Sequence, residues 1–180
     1  MGGRPVGDGQ RRGGAGREGL GVKLRGIVVL ILAVLLPLVG GGLGSFATMD
    51  SVRTWYPALV RPSFAPPSWV FGPVWTTLYL MMGVASWLVW RQGFSRPEVR
   101  STLMVFGVQL GLNLAWSWLF FGLRQPLLAL FDIVVLLVLI GVTMRRFAAV
   151  SRGAALLLAP YLAWVAFATV LNGGFWWLNR

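Results

Sequence analysis

The chain contains neither cysteine nor histidine, and only five of its 180 residues are acidic. Without cysteine there is no disulfide, no thiolate nucleophile and no thiolate metal ligand. Without histidine, the commonest metal ligand and the usual general base near neutral pH are also gone. No paired carboxylates, Gly-rich phosphate loop or Ser/His/Asp set is present. Ordinary catalysis, a metal site and an obligatory cofactor are therefore not expected. Charge is scarce too: 12% of residues are charged and 57% hydrophobic, whereas a soluble domain devotes about a quarter to charge. Such a chain cannot cover its own surface in water, so the lipid bilayer is the solvent implied.

The net charge of +11 would suggest nucleic acid in a soluble protein. Here the basic residues lie between long apolar runs, and no nucleic-acid partner is expected. Residues 1–25 are rich in Gly and Arg, lack apolar periodicity and read as a disordered basic tail ahead of a membrane domain over 26–180. Charge then delimits five apolar segments, with helices expected at about 26–49, 68–91, 99–123, 126–146 and 153–175. Each meets the length of about 20 residues that a helical span needs. A β-barrel would show short segments of alternating polarity, and unbroken runs such as Ile27–Leu36 and Ile133–Ile140 are the opposite. The fold class is all-α integral membrane, a bundle of five transmembrane helices.

The connection at Arg124 is short, which makes helices three and four an antiparallel hairpin. The connection between helices one and two is long and carries Pro57, Pro62, Pro66 and Pro67. It is expected to be extended, stiff and laid across one mouth of the bundle. Basic residues crowd one side: Arg4, Arg11, Arg12, Arg17, Lys23 and Arg25 in the tail, with Arg91, Arg96, Arg100, Arg145, Arg146 and Arg152 in two loops. Only Arg53, Arg61, Arg124 and Arg180 flank the other. The positive-inside rule then places the N-terminus in the cytoplasm and the C-terminus opposite, and helical spans without barrel patterning point to a bacterial inner membrane.

Polar side chains at membrane depth need a partner or a purpose. In helix three Gln109, Asn113, Trp116 and Phe120 recur at helical spacing and share one face. Helix five repeats the pattern with Tyr161, Trp164, Ala168 and Asn172, and helix two with Trp75, Tyr79, Met82 and Ser86. These aromatic walls with a few amides and hydroxyls suit flat apolar ligands with polar edges, and they suit helix packing equally well. Trp55, Trp87, Trp90, Trp176 and Trp177 sit near span ends, as interfacial anchors do. Asp132 is expected to pair with Arg124 across the hairpin rather than to relay protons. Gly107 and Gly111 form a GxxxG, as Gly40 and Gly44 begin a second small stripe, so helix three offers a homodimer face or an intrachain contact.

Three stretches, WYPALVRPSFAPPSWVFGPVWTTLY (55–79), QLGLNLAWSWLFFG (109–122) and PYLAWVAFATVLN (160–172), resemble the TspO/MBR family. These are the tryptophan-rich sensory proteins whose animal members are called translocator protein or peripheral benzodiazepine receptor. The resemblance implies a five-helix bundle with the loop between helices one and two capping a pocket. It further implies a membrane receptor or sensor that binds porphyrin-type tetrapyrroles, protoporphyrin IX or haem, and possible sterols as ligands. The alternatives it carries are a transporter of porphyrin intermediates and a light-dependent porphyrin-degrading protein. Position by position, it implies that Trp75 and Trp164 line the pocket and that Asn113 and Trp116 form its wall. Tyr79, Phe71, Ala168, Ser45 and Thr48 match further lining positions, and Trp75 and Trp164 are the residues to test if photodegradation occurs. Phe175 stands where animal members carry a tyrosine in a sterol-recognition pattern, which favours a tetrapyrrole over a sterol. Ala65 stands where animal members often carry histidine, which removes a possible axial ligand near the loop.

Overall fold

A computed structural model describes the backbone from Asp8 to Arg180 and the surroundings of Gly21 and of residues 23–180. Five helices are long and apolar enough to cross a membrane, and no strand occurs among the described residues. We name them α1 (Asp8–Ala47), α2 (Phe71–Trp90), α3 (Pro97–Ser117), α4 (Pro126–Val150) and α5 (Ala159–Leu178). The protein is an integral membrane helical bundle. Its outward faces are apolar, with Leu36, Leu43, Phe46, Val138 and Leu156 all exposed, as a lipid-facing surface requires.

The boundaries have local causes. Pro97 and Pro126 stand at the first turns of α3 and α4, where the missing N–H costs nothing. Pro160 splits the last span into a short helix, Arg152–Leu157, and α5, because proline cannot donate to the preceding turn. α3 runs on into a wide turn, Trp118–Gly122, in which the Leu123 N–H donates to the Trp118 carbonyl, five residues back, at 2.7 Å. Arg124 then closes the hairpin at φ 56°, a left-handed conformation uncommon outside glycine.

The backbone is helical from Asp8 on, and residues 1–7 of the basic tail lie outside the described residues. Once the apolar span has nucleated a helix, each further residue adds one hydrogen bond without a new nucleation cost. One expectation needs correction: the connection over residues 50–67 is not extended throughout, since a short helix, Met49–Arg53, and a single turn at Tyr56–Ala58 occupy its first part, and a further turn, Ser68–Val70, leads into α2. Its prolines constrain only the part from Pro57 onward. Before them, Thr54 and Trp55 still donate four residues back, to Asp50 and Ser51.

The helices form a ring in which α1 packs on α2, α2 on the lead-in to α5, α5 on α4, and α4 on α3, which closes against α1 and α2. Buried Met82, Ile133, Leu136, Phe147, Tyr161 and Phe175 fill its centre. α1 is the least embedded helix. It crosses α2 at Gly83, where a Cβ would sit 2.5 Å from the Val34 Cα and 2.8 Å from the Ala33 carbonyl oxygen. Pro37 has no N–H to give that same Ala33 carbonyl. The carbonyl that Pro37 leaves without its helical donor is thus the one turned toward the crossing.

Candidate functional site

From the Gly83 crossing toward the loop, α1, α2 and α3 enclose a cavity of about 480 Å³. α1 and the residue after it contribute Leu38, Gly41, Ser45 and Thr48; α2 contributes Phe71, Trp75 and Tyr79. Trp116 and Phe121 form the α3 wall, and Met49, Val52 and Tyr56 of the loop make the roof.

Trp75 is the hub of the aromatic surface. Its ring centroid lies 5.5 Å from that of Tyr79, 6.4 Å from Tyr161 and 6.5 Å from Trp116. Trp116 in turn stacks on Phe120 at 5.6 Å. Hydrogen bonds fix the orientation of these rings. The Tyr79 hydroxyl donates to Asn113 Oδ1 at 2.9 Å, and the Trp116 Nε1–H donates to Asn172 Oδ1 at 2.9 Å. Asn172 is itself held, since its Nδ2 donates to the Pro126 carbonyl at 2.8 Å. The Tyr161 hydroxyl donates to Gln109 Oε1 at 3.0 Å. Close approach matters on the α1 side, because a Cβ at Gly41 would run into the Tyr79 ring.

The residues singled out from the sequence fall into three groups. Trp75, Trp116, Tyr79, Phe71, Ser45 and Thr48 come together around the one cavity. Asn113 is 1% exposed and stands behind Tyr79, and Ala168 is buried in the core. Trp164 does not face the cavity. It lines a separate groove between α2 and α5, with Pro73, Thr77 and Phe167, and meets the cavity only through an edge contact with Phe71 at 5.8 Å. The helical stripe misleads here because Trp164 is large enough to reach sideways onto α2 from the flank of its face.

Several lining residues carry no signal in the sequence, and two of them show why. Tyr56 is in a loop, where no periodicity marks an inward position; Gly41 lacks the side chain that would mark one. Tyr56 is nonetheless buried, with ring contacts to Phe121 at 5.5 Å and Phe175 at 5.3 Å. Burial pushes its phenol pKa up, against the opposing pull of the Arg61 guanidinium 5.5 Å over the ring.

The roof is pinned at both ends. Arg124 donates from Nε to Ser51 Oγ at 3.0 Å and pairs with Asp50 at 3.4 Å. The expected Arg124–Asp132 pair is therefore not made: the left-handed turn at Arg124 aims its side chain back at the loop rather than along α4. Asp132 Oδ2, Gln109 Nε2 and Asn113 Nδ2 are buried without a hydrogen-bond partner among the described residues. At the loop's other end, Asn179 accepts from the Val60 N–H at 2.9 Å and donates to the Val60 carbonyl at 3.0 Å. Gly174 lies against Pro62.

No group of three or more His, Cys, Asp or Glu that could hold a metal occurs among the described residues, and no acid–base pair faces the cavity. What it offers is flat aromatic surface with a few fixed hydroxyls.

The profile of the TspO/MBR family matches residues 33–178. A tryptophan-rich protein TspO of Chlorobaculum tepidum is 47% identical over 146 residues, covering 81% of this chain and 92% of the relative. One from Archaeoglobus fulgidus is 44% identical over 154 residues, covering 85% and 98%. The translocator protein of Bos taurus is 43% identical over 148 residues, covering 81% and 87%.

Proposed function

The chain belongs to the TspO/MBR family, and we propose that it is a membrane receptor or sensor that holds a porphyrin-type tetrapyrrole in the cavity beneath its loop. The observation that carries this reading is the Trp75 hub. One indole, flanked by Tyr79 and Trp116, presents a continuous aromatic face to a cavity of about 480 Å³. That volume lies within the range of about 300–1,000 Å³ found for small-molecule pockets. A planar macrocycle with polar edges stacks on such a face, and the Thr48 and Tyr79 hydroxyls lie beside it. The test is saturable quenching of tryptophan fluorescence by protoporphyrin IX. Binding weakens in Trp75→Phe; unchanged binding there would sink the assignment.

The same hub favours a second reading, light-dependent breakdown of the bound porphyrin, since clustered indole and phenol rings are oxidisable. It requires product formation in light and none in darkness, with loss in Trp75→Phe. The distribution of its arginines supports a cytoplasmic N-terminus, and helical spans in place of barrel strands support a bacterial inner membrane. A homodimer through α3 uses the outward face at Gly107 and Gly111, where an added Cβ would meet nothing within 4 Å.

A further inference from the structure

The loop that roofs the cavity also bounds a second concavity, on the outside of the bundle. It is an open groove of about 710 Å³ between the loop, α4 and the end of α5. Its floor exists because α5 has no side chain at Gly173, where an added Cβ would meet only Leu130 Cδ1, at 3.9 Å. Val170 and Trp177 stand one turn before and after Gly173 on the same face, and Phe64 and Leu130 form the walls. Val170, Trp177 and Phe64 are all exposed, and the α5 residues of the groove belong to the span Arg152–Leu178, so the floor faces hydrocarbon. The mouth has the opposite character. The Asn179 clasp on Val60 holds the next residues along, Arg61 and Arg180, at one end of the groove, where the span stops. Arg61 lines the groove itself, with one guanidinium N–H donated to the Pro66 carbonyl at 3.0 Å. The Arg180 guanidinium carbon lies 3.3 Å from the centroid of the Trp177 ring, which it covers. Both arginines are exposed, and neither is paired with a side-chain carboxylate among the described residues. Besides them, only Arg53 and Arg124 flank this end of the bundle, and Arg124 is already engaged by Asp50 and Ser51. Two of the four therefore gather at one groove.

We propose that this groove binds an anionic phospholipid of the adjoining leaflet, with its phosphate between Arg61 and Arg180 and an acyl chain laid along Gly173 and Val170. A guanidinium presents its N–H donors in a fork that matches two phosphate oxygens. Trp177 carries one such fork at the depth where headgroups begin, the depth at which tryptophan itself is favoured. A zwitterionic headgroup brings its own cation to two arginines and loses the charge complement. A free phosphate has nothing to place on the apolar floor, so the occupant is a lipid rather than an ion. The bound lipid lies against Val60 and Phe64, in the loop that further back covers the cavity, and so fastens that loop from outside. The site is independent of what the cavity itself holds.

The experiment uses the full chain reconstituted in phosphatidylcholine vesicles, with and without added phosphatidylglycerol, and follows hydrogen exchange at residues 60–64 and 173–178. Phosphatidylglycerol is expected to slow exchange at both stretches by about ten-fold, the scale of one or two arginines at an anionic surface. Arg61→Gln combined with Arg180→Gln should abolish that protection. Gly173→Leu, which fills the floor, should abolish it with both arginines in place. Arg145→Gln combined with Arg146→Gln, at the opposite end of the bundle, should leave it unchanged. The proposal is overturned if phosphatidylglycerol protects neither stretch, if protection survives the loss of Arg61 and Arg180, or if it disappears with Arg145 and Arg146. The same protection from inorganic phosphate in pure phosphatidylcholine vesicles overturns it in favour of a simple anion site. Protection that follows the protein-to-lipid ratio instead of the phosphatidylglycerol content overturns it in favour of a second copy of the chain.

Discussion

The Tyr79 hydroxyl donates to Asn113 Oδ1 across 2.9 Å of buried interior, joining α2 to α3 behind the cavity wall. Neither group has another hydrogen-bond partner in its side chain, since Asn113 Nδ2 is itself unpaired. Tyr79→Phe and Asn113→Leu should therefore each destabilise the bundle by about 0.5–2 kcal/mol, the scale of interhelical hydrogen bonds in membranes. The double variant should cost less than the sum, because each single change leaves its partner stranded. Unfolding titrations in mixed detergent read all three; strict additivity would show that the bond contributes nothing.

Trp75 and Trp164 should separate on ligand affinity. Trp75→Ala removes the centre of the aromatic face and should weaken protoporphyrin binding at least about ten-fold, from some 1.5–3 kcal/mol of lost burial. Trp164→Ala acts only through Phe71 and should change the affinity by less than about three-fold, as peripheral contacts do. Equal losses, measured by fluorescence quenching or by porphyrin absorbance, would mean that ligand draws Trp164 inward from its groove.

The Asn179 clasp predicts a local effect. Asn179→Ala removes both hydrogen bonds to Val60 and the one to the Phe175 carbonyl. Hydrogen exchange at the Val60 amide should rise by about ten-fold or more, as one or two lost hydrogen bonds of about 1 kcal/mol each imply. Exchange across α4 should stay as it is.

Glycine substitutions should sort by position. Gly83→Leu forces a side chain into the Val34 backbone and should cost about 1–3 kcal/mol of stability or separate α1 from α2. Gly107→Leu meets open space and should leave the fold unchanged. If α3 forms the homodimer, the same change shifts the protein to monomer in cross-linking or sedimentation.

Much of this was legible in the sequence because lipid imposes a simple rule: backbone polar groups must be satisfied within the span, so long apolar runs become helices. The five spans and the inward faces of Gln109, Asn113, Trp116 and Phe120 follow from that rule and from helical period. Less accessible were features that depend on more than one element. The partner of Arg124 was set by a left-handed turn, which no pattern of charge reveals. Tyr56 is buried by a loop fold, where there is no period to read. Trp164 lies on the expected helix but at the edge of its face, and which neighbour it meets depends on how α5 sits against α2. The Gly83 crossing is invisible for a similar reason, since a lone glycine marks closeness only once its neighbour is known.

That crossing has a mechanical consequence. Val34 is the fulcrum of α1, and Ser45 lies eleven residues along, about 16 Å away at the helical rise of about 1.5 Å per residue. A tilt of about 10° of α1 about this fulcrum moves Ser45 by roughly 3 Å, close to the thickness of an aromatic ring, for the same rise. The helix then works as a lever whose long arm ends beside the cavity, so that forces applied to α1 by the surrounding lipid reach the cavity wall.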